Sequence, residues 1–245
     1  NSVIERARMS EVTDYTKLLP YYSYSLNNTA AQATELDSII QKATAGILLH
    51  DLRSNWVDNF YMLIGRSYFL QKKFDSAYMA FQFINYNLRP KDKKSKDEQV
   101  VVGSNLNKST GSGSIANKED RKFFQRILSK PPSRNDALVW QAMSLTRMEK
   151  YGEAAGLMNT LKNDPQFPDR LQSQLAEAEG YWFYTQQQYD STIHYLALSL
   201  PNTLDLQDQA HKEFLLAQLY GQKGSVDTAS FYYTKAIRHT TDPLM

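Results

Sequence analysis

The fold of this chain is decided by residues 55–90, NWVDNFYMLIGRSYFLQKKFDSAYMAFQFINYNLRP. Apolar residues in each half of this stretch recur three, four and seven positions apart, a spacing that places them on one face of a helix. They are Tyr61, Ile64 and Tyr68 in the first half, and Ala77, Phe81 and Ile84 in the second. The polar residues 71–73 between the halves are typical of a tight turn. The stretch therefore predicts two antiparallel helices packed through their apolar faces.

Small residues stand where these two helices would cross. Gly65 and Ala77 allow the backbones to approach, and Phe81 would fill the wedge that opens beyond the crossing. The order of large, small and aromatic residues from 61 to 90 matches the tetratricopeptide pattern. Because one such unit cannot cover its own apolar face, units of this kind stack into a solenoid with an extended concave surface.

The same internal spacing returns three more times along the chain. The small residue of the first helix recurs at positions 142, 180 and 217, and a second small residue follows 12 positions later each time. The eight positions are Gly65, Ala77, Ala142, Ala154, Gly180, Thr192, Ala217 and Ala229. The separations between successive units, from position 142 to 180 and from 180 to 217, exceed the repeat length of about 34 residues by a few positions. The chain is therefore predicted to be all-α, a tetratricopeptide-like right-handed helical solenoid.

Four regions are predicted along the chain. Residues 1–34 form an extended N-terminal strap, 35–90 the first helical repeat region, 91–118 a flexible loop and 119–245 the remaining repeats. The loop is predicted because its charged and Gly/Ser/Asn-rich composition buries too little apolar surface to offset the entropy of ordering. Apolar residues near the edge of the last helix lead us to expect further repeats, or a partner, beyond the end of the chain.

The composition argues against several kinds of site. A formal net charge of +2 provides no concentrated basic face for nucleic acid. The absence of cysteine excludes disulfides, thiolate metal sites and a cysteine nucleophile. The four histidines stand in no metal-ligand spacing, and no Ser-His-Asp arrangement is recognisable. We therefore expect no catalytic residue, metal or cofactor, and no stretch of about 18 apolar residues is present that would span a membrane.

Tyrosines are the candidate partner-binding residues. A tyrosine on a concave face contributes contact area and a polar tip at low entropic cost. The candidates are Tyr15, Tyr21, Tyr22, Tyr181, Tyr184 and Tyr232. The first three belong to the predicted strap, which either packs along its own solenoid or binds a partner. We favour packing on its own solenoid.

Two parts of the chain resemble the N-terminal region of a known family. Residues 14–20 (DYTKLLP) precede residues 54–58 (SNWVD), which run on into 63–69 (LIGRSYF) and 80–84 (AFQFI). These segments resemble the PorW/SprE family, tetratricopeptide lipoproteins of the type IX secretion and gliding machinery in Bacteroidota. The resemblance implies a non-enzymatic scaffold at the periplasmic face of the outer membrane, anchored by a lipidated cysteine outside this chain. It further implies that the scaffold links the outer-membrane translocon to periplasmic ring and motor components.

Two other functions remain open on the sequence. One is a tetratricopeptide adaptor of another envelope-assembly or peptide-binding pathway, which only the identity of its partner would distinguish from the type IX scaffold. A glycan-uptake lipoprotein fits less well, because it needs a large non-repeat lobe with exposed aromatic residues, for which the repeats leave little room. The start at Asn1, without methionine, suggests that a targeting segment has been removed.

The predicted crossing of the first helix pair can be tested by substitution. Phe81→Ala is expected to lower the free energy of unfolding by about 3–5 kcal/mol, because it leaves a cavity. A large residue at Gly65 is expected to cost about 1–3 kcal/mol through overpacking. Urea unfolding followed by circular dichroism measures both changes. A loss below about 1 kcal/mol for Phe81→Ala would be that of an ordinary surface position and would contradict the predicted wedge.

Overall fold

The computed structural model describes residues 2–11, 13–49, 56–88, 114–119, 133–240 and 242. Within these residues the chain forms eleven α-helices and no β-strand, with short 3₁₀ turns at Asp169–Leu171 and Leu200–Asn202. The helices are α1 (Ser2–Met9), α2 (Leu26–Ala30), α3 (Ala33–Leu49), α4 (Val57–Leu70), α5 (Phe74–Asn87), α6 (Arg134–Arg147), α7 (Tyr151–Lys162), α8 (Gln172–Thr185), α9 (Tyr189–Ser199), α10 (Leu206–Gln222) and α11 (Val226–His239).

The helices stack in chain order. From α3 onward each helix packs against the next, which gives the pairs α4/α5, α6/α7, α8/α9 and α10/α11. Helix α5 packs directly on α6, although a long stretch of sequence separates them. The prediction of an all-α helical solenoid built from helix pairs is therefore confirmed.

The four helix pairs are closed by the same turn. The residue seven positions after the small residue of the first helix has a positive φ in every pair. These residues are Lys72 (63°), Glu149 (60°), Gln187 (58°) and Gly224 (76°). The N–H of the following residue donates to the carbonyl five positions back, at 2.9–3.0 Å in all four turns. This left-handed ending is the Schellman motif, which satisfies carbonyls that a helix would otherwise leave unbonded.

The eight small positions of the repeat are all buried. At the first crossing, a Cβ atom on Gly65 would lie 2.5 Å from Cε1 of Phe81, whose side chain is fully buried. Tyr61 stacks on Phe83 with ring centroids 4.2 Å apart. Tyr68 packs at the edge of the core. Helices α4 and α5 therefore meet through a glycine on one side and an aromatic ring on the other.

The N-terminal region contains more helix than the sequence predicts. Helices α1, α2 and the start of α3 all lie within residues 1–34, so the extended strap is shorter than predicted. Residues 27–34, whose polar composition is typical of a turn, are mostly helical because Ser25 accepts a hydrogen bond from the N–H of Asn27 and so caps α2. The buried hydroxyl of Thr29 then donates to the carbonyl of Leu70 at 2.8 Å. These polar residues gain partners that local composition does not reveal.

The predicted loop is described only at its C-terminal end. Residues 91–113 lie outside the described residues. So do Phe123, Phe124, Ile127 and Leu128, whose spacing predicts a short helix. Residues 114–118 lie against the helix stack, where several of their backbone groups are hydrogen-bonded. The carboxylate of Asp164 accepts hydrogen bonds from the N–H groups of Ile115 and Ala116 at 2.8 and 2.9 Å. The side chain of Asn135 holds the next residue, Asn117, through both its N–H and its carbonyl.

The left-handed turns give a prediction with a matched control. Gly224→Ala is expected to lower the free energy of unfolding by about 1 kcal/mol, because an L side chain is strained at φ 76° although nothing lies within 4 Å of its Cβ. Gly156 lies in the middle of α7 and also has an open Cβ direction. Gly156→Ala is therefore expected to raise stability by roughly 0.5–1 kcal/mol. Chemical unfolding of both variants measures the difference, and changes of the same sign would contradict the strained turn.

Candidate functional site

Helix α10 is buried on every side over residues 210–217. A helix can be buried all round only if neighbours cover all of its faces. Helices α9 and α11 pack against it, and the remaining side is covered by residues 13–25, which we call the covering segment. The covering segment also lies along α8 and reaches Arg147 at the end of α6. It therefore runs in a groove formed by the first helices of successive pairs.

Side chains of the groove bind the backbone of the covering segment. The carboxamide oxygen of Gln218 accepts the N–H of Leu19 at 2.9 Å. The nitrogen of the same carboxamide donates to the carbonyls of Lys17 and Tyr15 at 2.6 and 3.3 Å. One glutamine on α10 thus satisfies three backbone groups of a segment with no helix or sheet to bond them.

Two further carbonyls of the covering segment, those of Leu19 and Pro20, also accept hydrogen bonds from the groove. The hydroxyl of Tyr184 donates to the carbonyl of Leu19 at 2.7 Å. Nε2 of His211 lies 2.7 Å from the carbonyl of Pro20. Because a carbonyl oxygen only accepts, Nε2 carries the proton and neutral His211 is the donor. Burial lowers the pKa of His211, which keeps the ring in this neutral form.

The side chain of Tyr21 fills a slot on α8. It is 2% exposed, and its ring packs against those of Tyr181 and Tyr184 at centroid distances of 5.5 and 5.6 Å. Its hydroxyl donates to the backbone carbonyl of Glu177 at 2.9 Å. A Cβ atom on Gly180 would collide with this hydroxyl, so the slot exists because position 180 has no side chain. Burial raises the pKa of Tyr21 well above its ordinary value.

A buried charge cluster lies beside the slot. The ammonium group of Lys212 is 3.0 Å from Oε2 of Glu177 and 3.4 Å from Oδ2 of Asp208. Burial alone would lower the pKa of Lys212, but the two carboxylates outweigh it and raise that pKa. The hydroxyl of Ser23 in the covering segment donates to Asp208 at 2.8 Å. The covering segment therefore closes over an ammonium group that two carboxylates already bond, and its Ser23 hydroxyl bonds one of those carboxylates.

The covering segment leaves the groove beside a cavity of about 680 Å³. Its walls include Tyr22, Tyr24, Arg147 and Tyr181, together with the turns that close the first three helix pairs. The guanidinium of Arg147 lies 4.2 Å from the ring centroid of Tyr181 and 5.5 Å from that of Tyr22, which are cation–π distances. This size is within the range of sites that hold small ligands or peptide side chains.

Five of the six candidate tyrosines meet in and around the groove. Tyr21, Tyr22, Tyr181 and Tyr184 form the cluster described above, and Tyr15 packs on Phe214 of α10 at 5.1 Å. The buried rings of Tyr21 and Tyr22 contact the chain's own helices, so the groove is filled by the protein itself. The sixth, Tyr232, stacks on Tyr220 at the α11 end of the solenoid.

The polar residues of the groove are not among the binding residues predicted from the sequence. These are Glu177, Asp208, His211, Lys212 and Gln218. One signal was present, because His211, Lys212 and Glu213 are consecutive on a helix and must point in three directions. At least one of them therefore faces a neighbouring element.

Among the described residues, no group of three His, Asp or Glu side chains is arranged to hold a metal ion. None of the helices α1 to α11 combines the length and apolar character needed to cross a bilayer.

The buried histidine predicts how stability depends on pH. A histidine in the unfolded chain has a pKa of about 6.5. Because burial lowers the folded-state pKa of His211, the unfolded chain takes up a proton more readily as the pH falls below about 6.5. The free energy of unfolding should then fall by at most about 1.4 kcal/mol per pH unit. The hydrogen bond to the carbonyl of Pro20 and the nearby carboxylate of Asp208 raise the pKa of His211 and so weaken this pH dependence, whereas Arg8 and Lys212 lower that pKa and strengthen it.

His211→Gln is the matched variant, because it keeps a donor for the carbonyl of Pro20 but does not titrate. Urea unfolding at several values between about pH 7.5 and pH 5.5 measures the slope for both proteins. The variant is expected to lose less stability across this range than the parent chain. Equal slopes would show that His211 does not carry the pH dependence.

Comparisons with known proteins bear on the fold. No protein-family model matches this chain, and no curated protein does. Among solved structures, BtubC (BKLC) from P. vanneervenii is similar with a TM-score of 0.51 and 12% sequence identity, covering 87% of this chain and 78% of that chain. At this identity the likeness concerns the fold alone. It agrees with the helical architecture described above.

Proposed function

We propose that this chain is a protein–protein interaction scaffold whose concave groove binds polypeptide in a non-helical conformation. One observation carries the proposal: side chains of α8 and α10 make five hydrogen bonds to backbone groups of residues 15–20. Backbone N–H and carbonyl groups are common to all proteins, so a groove that bonds them is suited to hold a peptide segment. The covering segment shows the type of chain that the groove accommodates.

The proposed scaffold is non-enzymatic. The ionisable groups of the groove each engage another part of the chain: Lys212 pairs with Glu177 and Asp208, and His211 with the carbonyl of Pro20. These contacts hold helices and the covering segment in place. A binding role therefore accounts for them without a chemical step.

We assign the partners to the type IX secretion machinery at the periplasmic face of the outer membrane, on the resemblance to the PorW/SprE family. The resembling residues 14–20 belong to the covering segment, and the groove bonds four of its backbone carbonyls. The resemblance thus includes the residues that carry the structural argument. In this proposal the scaffold links the translocon to ring and motor components.

Photo-crosslinking in envelope extracts of a type IX-secreting bacterium tests this function. A photoreactive phenylalanine analogue replaces Tyr189, which lines the cavity at the end of the groove, in the full chain. The control carries the analogue at Tyr86, which is 55% exposed on α5 and lies outside that cavity. Cross-links to secretion-machinery proteins are expected from position 189 and not from position 86.

The outcomes separate the two parts of the proposal. Failure of position 189 to cross-link any protein would contradict a scaffold that uses this groove. Specific cross-links to proteins outside the secretion machinery would overturn the type IX assignment and leave the scaffold role supported.

A further inference from the structure

We infer that the groove between α8 and α10 is a recognition site for a leucine–proline–tyrosine triplet, which residues 19–21 of this chain occupy in place of a partner. The ligand is a non-acidic, non-helical segment of a partner protein that carries the same triplet. This inference rests on the proposed function and specifies the chemistry of its partner.

Each position of the triplet is recognised differently. Leu19 is 1% exposed, and both of its backbone groups are bonded, the N–H to Gln218 and the carbonyl to Tyr184. Pro20 is exposed, its carbonyl is bonded by His211, and it has no N–H that would need a partner. Proline also restricts the backbone before binding, which lowers the entropy lost in the groove.

The tyrosine position is the most selective. Tyr21 fits a slot whose floor is Gly180, whose walls include Tyr181 and Tyr184, and whose end is the carbonyl of Glu177. A shorter side chain would leave the slot partly empty, and phenylalanine would lose the hydrogen bond to that carbonyl. Aromatic anchors in fully enclosed pockets dominate the energy of most protein interfaces.

The charge pattern disfavours a segment with an acidic centre. The ammonium group of Lys212 is already bonded to two carboxylates, those of Glu177 and Asp208, so negative charge is in excess under the groove. Residues 18–25 (LLPYYSYS) carry no charge, in agreement with this surface. An acidic residue at the centre of a bound segment would be desolvated beside these carboxylates, which is costly.

The covering segment competes with any external segment. A segment tethered to its own site has an effective concentration on the order of mM. A free peptide therefore binds the parent chain poorly, and binding becomes measurable when the tethered segment is weakened. In the cell, a partner gains the advantage by adding contacts at the neighbouring cavity.

The test uses two variants of the full chain that both disturb the contact between residues 21 and 180. Tyr21→Ala empties the slot, whereas Gly180→Ala fills it. A fluorescent peptide with the sequence of residues 13–25 is titrated into the parent chain and into both variants, and anisotropy reports binding. Tyr21→Ala is expected to bind the peptide at least about tenfold more tightly than the parent chain, because the competing anchor is gone. Gly180→Ala is expected to show no such gain.

A second peptide, with alanine in place of its tyrosine at position 21, is expected not to bind the Tyr21→Ala variant. Circular dichroism and thermal unfolding establish that the variants are folded. Leu19→Ala weakens the covering segment from the adjacent position and leaves the slot intact, so it replaces Tyr21→Ala if that variant unfolds. Its expected result is also a gain in affinity for the parent peptide.

Three results would overturn the inference. They are a folded Tyr21→Ala or Leu19→Ala variant with no gain in affinity, an equal gain in Gly180→Ala, and a parent dimer at micromolar concentration that Tyr21→Ala converts to monomer. The last result would identify a second copy of this chain as the occupant. If the peptide fails to bind the folded Tyr21→Ala variant while the photoreactive analogue at position 189 still cross-links a secretion protein, the triplet site is wrong and the scaffold function stands.

Discussion

The contact between Tyr21 and Gly180 joins the N-terminal residues to the middle of the helix stack. Since Gly180 has no side chain, the ring of Tyr21 can reach past it and place its hydroxyl against the position that a Cβ atom would take. That ring holds the covering segment against α8, and the segment in turn completes the burial of α10. The fully buried part of α10 and the charge cluster around Lys212 both depend on this cover.

The N-terminal region holds the solenoid with contacts of unequal strength. The covering segment is attached by buried side chains and by backbone hydrogen bonds, which are costly to leave unmade. An ion pair of Arg8 with Asp205 joins helix α1 to the start of α10. The side chain of Asp205 is half exposed. Exposed pairs of this kind contribute little to stability. Displacement of the covering segment by a partner would therefore remove most of what ties the N-terminal residues to the later repeats.

Features that depend on neighbours along the chain were predictable. The helix pairs follow from apolar spacing, and the small positions from their recurrence 12 residues apart. The left-handed residue in each turn was missed because three of the four are Lys, Glu and Gln rather than glycine. Helix α2 was missed because its stability comes from a serine cap and from Thr29 bonding to Leu70, 41 residues away.

The sequence by itself determined the class of fold, because helical periodicity and close helix crossings are set by residues a few positions apart. It also indicated most of the tyrosines that gather at the groove. Only the tertiary structure decided what those tyrosines do. The hydroxyl of Tyr21 and the carbonyl of Glu177 are 156 residues apart in the chain. No local pattern relates two such positions, and they meet only because the packing of the helices places α8 beside the covering segment.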